Sequence, residues 1–275
     1  MSHPSAGKIS AFRRRVLSYY RAHRRDFPWR RTHDPYRILV SEVMLQQTQV
    51  ERVRVFFPKF IARFPTARAL ARAPLATVLR EWQGLGYNRR AKFLHLAAKA
   101  VMKEHGGKIP SDAGALARLP GIGKNTAGAV MAFGFNKPAV FIETNIRRTF
   151  IDSFFPRAKN VPDEKLTPLV EAALDRRAPR EWYSALMDYG SMLGATKRMA
   201  NPNRRSRVYR RQAPFEGSVR QVRGAILRAL LKKKSMPTET LRNLVDAPAK
   251  QYAGALAALA KEGMLRISGA RITLI

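Results

Sequence analysis

The stretch Leu119-Pro120-Gly121-Ile122-Gly123-Lys124 decides how this chain is read. Pro120 lacks an N–H, so a helix is expected to stop near Arg118, and a second to begin near Asn125. Gly121 and Gly123 are read as supplying backbone conformations that a Cβ would penalise, and as letting a ligand come close to the main chain. The second helix then points unpaired N–H groups outward, where phosphate can accept them, and Lys124 adds a charge at the same place. Two glycines and a proline would also serve an ordinary helix–helix turn. Composition has to choose between the two.

Composition favours phosphate. The 275 residues include 52 Lys and Arg against 19 Asp and Glu, a formal net charge of +33. Solubility alone needs a net charge of roughly 2–8 in a small domain. A field this strong fits a polyanion, because each Lys or Arg that neutralises a phosphate releases counterions. The hydrophobic fraction of 45% is enough for a core, and the length suits a two-lobed unit plus a small extra module. No apolar run of 18 residues offers a membrane span. Met1-Ser2-His3-Pro4 does not open a signal segment, and cysteine is absent. Disulfides, a thiolate zinc site and a cysteine-ligated iron–sulfur cluster are therefore excluded. The expected location is the cytoplasm, at the nucleoid.

Outward from the hairpin the chain reads as helical. Residues 10–25 form a basic amphipathic helix with Phe12, Val16, Leu17 and Tyr20 as its stripe, broken at Asp26-Phe27-Pro28-Trp29. Short helices are expected near 36–48, 50–63, 66–72, 74–82, 87–105, 111–118, 124–135, 143–154, 163–175 and 179–193. Composition shifts near 197, where a basic, helix-poor stretch runs to Arg211; it is read either as a disordered tether or as a phosphate-contacting arm. From Ser218 a new unit begins, with helices over Val219–Lys232, Pro237–Leu244 and Pro248–Gly263. Leu265–Ser268 and Ile272–Ile275 then alternate around Gly269 as a small hairpin does. The expected organisation is an all-α domain over 1–196, a basic linker over 197–217 and a winged-helix-like α+β module over 218–275.

Glu42 lies among Val40, Val43, Met44 and Leu45 in an otherwise uncharged helical stretch from Ile38 to Gln49. A carboxyl with apolar neighbours tends toward a raised pKa, as a general acid requires; the same residue could equally face solvent or pair with an arginine. The five histidines share no ligand spacing, so no metal is expected.

With Thr126-Ala127-Gly128-Ala129 behind it, the hairpin resembles that of the helix–hairpin–helix DNA glycosylases. The likeness runs from about Phe27 to Gly190 and is nearest to the MutY-type adenine DNA glycosylases, with endonuclease III more distant. It includes Pro28-Trp29, Ser41 to Val50, Arg63-Phe64-Pro65-Thr66, Ala73-Pro74-Leu75 and Trp82-Gln83-Gly84-Leu85-Gly86-Tyr87. It continues through His105-Gly106-Gly107-Lys108, Asn145-Ile146-Arg147-Arg148 and Met187-Asp188-Tyr189-Gly190. The run from Ser41 to Val50 is the most specific of these.

The resemblance implies a two-lobed fold that flips a base out of double-stranded DNA and hydrolyses its N-glycosidic bond. Glu42 matches the family's base-protonating glutamate. Glu143 stands where the family carries an aspartate, and its extra methylene matters because a misplacement of ~1 Å can cost ~100-fold in rate. Three readings of Glu143 stay open: it does the aspartate's work, it only caps a helix, or the protein binds DNA without reacting. Asp152 and Asp188 are possible substitutes for it, with structural roles the favoured reading of both.

Gln47 and Tyr87 match intercalating residues, with Asn88 where the family often has a second tyrosine. Trp29, Arg30 and Arg31 match a region lining the base pocket, although Trp29 could equally be core. Gln46, Gly121, Gly123, Lys124, Asn125, Thr126 and Asn145 complete the implied DNA-binding set. Asn125 replaces the Schiff-base lysine of bifunctional relatives, which implies base removal without strand cleavage.

The four cysteines of the family's cluster are missing from Gly194 to Arg211, so no cofactor is expected beyond a monovalent cation at the hairpin. The last residues look like a winged helix in place of an 8-oxoguanine-sensing domain. The expected substrate is adenine opposite guanine or 8-oxoguanine, cleaved by a monomer. Uracil or thymine opposite guanine is the alternative within the class, and a catalytically inactive DNA-binding regulator the alternative outside it.

Overall fold

In the computed structural model, residues 5–196, 200–212 and 214–275 are described. The opening tetrapeptide with His3, and residues 197–199 and 213 of the expected linker, lie outside them. The chain forms two compact units. One takes the described residues through Glu42, Pro110–Arg118 and Ile122–Arg211; the other takes Val43–Ile109, Leu119–Gly121 and Gln212–Ile275.

The first unit is helical. It holds α1 (Ala6–His23), the start of α2 (Pro35–Leu45), α7 (Ala113–Arg118), α8 (Lys124–Phe135), α9 (Thr144–Phe154), α10 (Asp163–Ala173) and α11 (Pro179–Ala195). The α1 stripe buries Phe12, Val16 and Tyr20 against Phe150, Trp182 and Leu166 of the later helices. The Phe12 ring lies 5.0 Å from Phe150 and 5.9 Å, edge-on, from Trp182. Full burial of side chains this large contributes roughly 1.5–3 kcal/mol each. α9 and α11 make the closest helix pair, because Gly190 has no Cβ: an added one would lie 2.3 Å from the Asn145 carbonyl oxygen.

Part of the segment expected to be a linker is built into this unit. Pro202–Arg205 forms a single 3-10 turn against α9, with Pro202 and Asn203 buried. Asn203 Nδ2 donates to the Thr144 carbonyl at 3.0 Å, and Arg148 Nε donates to Asn201 Oδ1 at 3.0 Å. The backbones of Val161, Arg205 and Arg207 exchange bonds of 2.7 and 2.9 Å. Arginines that read as tether in sequence are thus partly engaged by the protein's own groups, as in the exposed Arg207–Glu164 pair at 3.1 Å.

The second unit holds α3 (Val50–Arg63), α4 (Ala67–Arg72), α5 (Leu75–Glu81) and α6 (Arg89–Glu104), packed on Phe60, Phe64 and Trp82. It continues with α12 (Val219–Lys232), β1 (Ser235–Pro237), α13 (Thr238–Leu244), α14 (Ala249–Lys261), β2 (Leu265–Ser268) and β3 (Arg271–Leu274). The strands form an antiparallel sheet in the order β1-β3-β2, the arrangement of a winged helix. β1 went unread in sequence because it has three residues and ends in Pro237, too short for a period-two pattern.

The Gly190→Ala variant tests the α9–α11 contact. A Cβ there meets backbone, which cannot swing aside, so the helices must part. A loss of about 1–3 kcal/mol is expected, read as a lower urea midpoint.

Candidate active site

α2 carries Glu42. It begins at Pro35 after Asp34, whose carboxylate accepts from the Tyr36 N–H at 2.8 Å, and it ends at Leu45, four residues before the expected Gln49. Ser41 beside Glu42 is fully buried and donates to the Ile38 carbonyl at 2.8 Å. Glu42 keeps part of its surface, yet its carboxyl has lost most of its water. Burial pushes its pKa up to about 8; the nearby Glu143 charge adds to the rise and Arg30 opposes it. Among the described residues Glu42 has no hydrogen-bond or ion-pair partner.

Glu143 sits at the N-cap of α9. Its Oε1 accepts from the Asn145 N–H at 2.7 Å and the Ile146 N–H at 3.0 Å. The helix-cap reading of this residue is therefore part of its geometry. Burial raises its pKa, while those two N–H groups, Arg147 and Arg148 pull the other way. Arg147 is held by a bidentate pair to Asp163 at 2.7 Å. Arg148 donates to Asn145 Oδ1 at 2.9 Å and to the Gly190 carbonyl at 2.5 Å. Burial raises both carboxyls, but what opposes the rise differs: two N–H donors and two cations at Glu143, and at Glu42 the Arg30 charge, with no hydrogen-bond donor among the described residues.

Arg30, expected in the region lining the base pocket, is held by a buried acid. Its guanidinium grips Asp188 at 2.7 and 2.9 Å, and Arg25 Nε reaches the same carboxylate at 2.6 Å. Asp188 is 2% exposed, so these two arginines satisfy a buried charge. Trp29 is buried and stacks on Phe27, with centroids 5.0 Å apart. Arg31 pairs with Asp26 at the surface. Asp152 lies 3.9 Å from Arg205. Asn145 is fixed between α9 and α11 by Arg148 and by a 3.9 Å contact from its Nδ2 to Met187 Sδ.

At the hairpin, α7 packs on α8, and Leu119 and Ile122 are buried. Gly121 has φ +75°, and an added Cβ would lie 2.5 Å from the Phe93 Cβ, so glycine is required there. Gly123 corrects the sequence reading. Its φ of −86° and ψ of 171° suit any residue, and open space surrounds it. What its missing Cβ leaves clear is the approach to the N-terminus of α8, which has no side-chain cap. Lys124 and Asn125 are exposed in that first turn, Thr126 half-buried behind them. Asn125 Oδ1 accepts from the Ile142 N–H at 3.2 Å, which ties the hairpin helix to the segment entering Glu143.

In the second unit, Gln47 and Tyr87 have φ of +54° and +47°, left-handed values that non-glycine residues seldom take. Arg90, which sequence reading missed, organises both turns. Its guanidinium donates to the carbonyls of Val43, Met44, Gln46, Leu85 and Gly86 at 2.5–3.2 Å, and to Thr48 Oγ1 at 2.9 Å. Burial pushes its pKa down to about 10. Nothing in composition distinguished it from the other arginines; only its place after two glycines and a tyrosine could have.

The comparisons with known proteins follow this geometry. Residues 40–173 match the model of the HhH-GPD superfamily base excision DNA repair proteins. An adenine DNA glycosylase of Mycobacterium tuberculosis is 36% identical over 78% of this chain and 77% of its own length. The chain belongs to this superfamily. Another adenine DNA glycosylase, from Buchnera aphidicola, is 36% identical over 66% of the chain, which spans about half (52%) of that relative. A thymine/uracil-DNA glycosylase of Methanothermobacter thermautotrophicus is 30% identical over 70% of the chain and 88% of its length. Among solved structures, a thermostable thymine-DNA glycosylase aligns with TM-score 0.62 and 28% identity, covering 70% of this chain and 89% of that one. A cysteine-held iron–sulfur cluster does not fit this member, because the chain contains no cysteine.

Glu42 makes stability depend on pH. Its folded pKa is raised, so between its ordinary value near 4.5 and about 8 the folded state binds more protons than the unfolded one. Stability then falls as pH rises through that window. Glu42→Gln should flatten this dependence and be the more stable form at pH 9; urea midpoints from pH 5 to 9 check it. Separately, Gly123→Ala should leave those midpoints unchanged but weaken binding to a DNA duplex, by fluorescence anisotropy at fixed salt.

Proposed function

We propose that this DNA glycosylase removes adenine mispaired with guanine or 8-oxoguanine, by hydrolysis and without cutting the strand. The observation that carries the chemistry is the desolvated Glu42 carboxyl, with its pKa raised to about 8 and the capped Glu143 carboxyl close enough to add to that rise. Protonated Glu42 gives its proton to a ring nitrogen of the flipped adenine. The C1′–N bond breaks with its electron pair leaving on the base, and positive charge grows on the sugar. Glu143 stabilises that charge through Oε2, since its hydrogen bonds in the described structure go to Oε1. Water adds to C1′ and a carboxylate takes its proton. Asn125 carries no amine, so no Schiff base forms with the sugar and the abasic strand stays intact. The names of the adenine-specific relatives support the choice of base. The enzyme acts on this reading as a monomer at the nucleoid.

A second reading, uracil or thymine opposite guanine, is favoured by the likeness to the thymine/uracil enzyme. A single-turnover assay separates the two. Duplexes with A opposite G, A opposite 8-oxoguanine, U opposite G and T opposite G are incubated with excess protein, then cleaved with alkali. Release from the adenine duplexes alone is the expected result, falling as pH rises through about 8. Glu42→Gln should lose roughly 100- to 10,000-fold in rate. Glu143→Ala as active as the parent would remove Glu143 from the mechanism. Strand scission without alkali would overturn hydrolysis alone, and no product from any duplex would leave a DNA-binding protein without chemistry.

A further inference from the structure

The Tyr87 hydroxyl is held by the start of the C-terminal module. Arg220 Nη1, in the first turn of α12, donates to it at 2.6 Å, and Gln212 Nε2 is hydrogen-bonded to it as well. The Arg220 guanidinium also lies 5.2 Å from the Tyr87 ring centroid, while Arg90 lies 5.5 Å from it. Arg220 is anchored in turn by the Pro214 carbonyl at 3.3 Å, and the bend beneath it is closed by the Gly217 N–H donating to Gln221 Oε1 at 2.7 Å.

The module is also fastened on both sides of the Tyr87 turn. Before the turn, Arg80 on α5 reaches the Leu231 carbonyl at the end of α12, at 3.5 Å. After it, Lys92 on α6 donates to the carbonyls of Glu262 and Gly263 past the end of α14. Both cations meet helix C-termini, where a positive charge is favoured. Arg223 and Glu262 close the set at 2.6 Å.

A left-handed tyrosine is strained and persists only where its surroundings over-determine it. The hydroxyl bonds supply that determination from outside the turn. We propose that Gln212 and the stretch Pro214–Arg220 act as a strap that positions Tyr87 for insertion into the DNA stack, with Arg220 as the positioning residue. The C-terminal module is then part of the lesion-probing apparatus. This rests on the reading of Tyr87 as the intercalating residue.

The test separates the strap from that reading. A duplex carrying a tetrahydrofuran abasic site flanked by 2-aminopurine reports insertion by a fluorescence rise, with no chemistry required. Tyr87→Ala should abolish the rise. Tyr87→Phe and Arg220→Met should each slow it by roughly tenfold, the scale of one charge-assisted hydrogen bond, with thermal midpoints near the parent's. Because both remove the Arg220–Tyr87 bond, the double variant should lose clearly less than the product of the two single losses, and Arg220→Lys should recover part of the rate. Tyr87→Ala slow with Arg220→Met at the parent rate would overturn the strap and leave the intercalating role standing. Tyr87→Ala at the parent rate would overturn both. Multiplying losses in the double variant would overturn the coupling.

Discussion

Two carboxyls are held away from water in a chain with a formal charge of +33. A carboxylate in such a field is readily drawn to an arginine, as Asp26, Asp163, Asp175 and Glu262 are. Glu42 has no such partner among the described residues, and the one arginine whose charge reaches it, Arg30, is already engaged. Arg30 is committed to Asp188, and Arg25 with it. Arg147 is committed to Asp163. The buried Asp188 pair therefore does more than neutralise itself: it holds the Arg30 guanidinium away from an ion pair with Glu42. In this protein, basic residues are useful at the site partly by being occupied elsewhere.

The same economy appears in the second unit. One buried guanidinium, Arg90, gathers the carbonyls at the end of α2 and in the turn before Tyr87. Those carbonyls belong to backbone that leaves regular structure, and without a donor each would be a costly unsatisfied group. Arg90 lets two irregular turns exist side by side, and both carry a left-handed side chain outward. A lysine could not replace it, since no ammonium has five donors in a planar fork.

Much of this was legible in the sequence, for reasons that differ by residue. Helices punctuated by Pro and Gly announce their own ends, so α3, α8 and α12 could be bounded almost to the residue. Glu42 stood out because charge is rare in an apolar run, and burial there is what the neighbours dictate. The φ of Gly121 was readable as turn chemistry, but the ordinary φ of Gly123 was not, because the two glycines look alike on paper. The order of residues 201–207 was hidden for another reason. Its buried members are Pro202, Asn203 and Ser206, whose partners are backbone groups of α9 and Val161 far away in sequence. Polar residues satisfied by tertiary backbone leave no periodic trace. Arg90 and Arg220 were invisible on the same ground: in a chain this basic, one arginine cannot be told from the next until its acceptors are in place.

Glu143 is where sequence and structure press on each other most. A glutamate at an N-cap is uncommon, since the shorter Asp, Ser, Thr and Asn reach the N2 and N3 amides with less bending. Here the side chain folds back far enough for Oε1 to serve both the Asn145 and Ile146 N–H groups. The extra methylene is thus absorbed in the fold-back rather than spent in projecting the carboxylate further out. Capping and catalysis do not compete under that arrangement. The cap fixes the carboxylate's position, the amides and the two arginines favour its charge, and the charge in turn helps to keep the proton on Glu42.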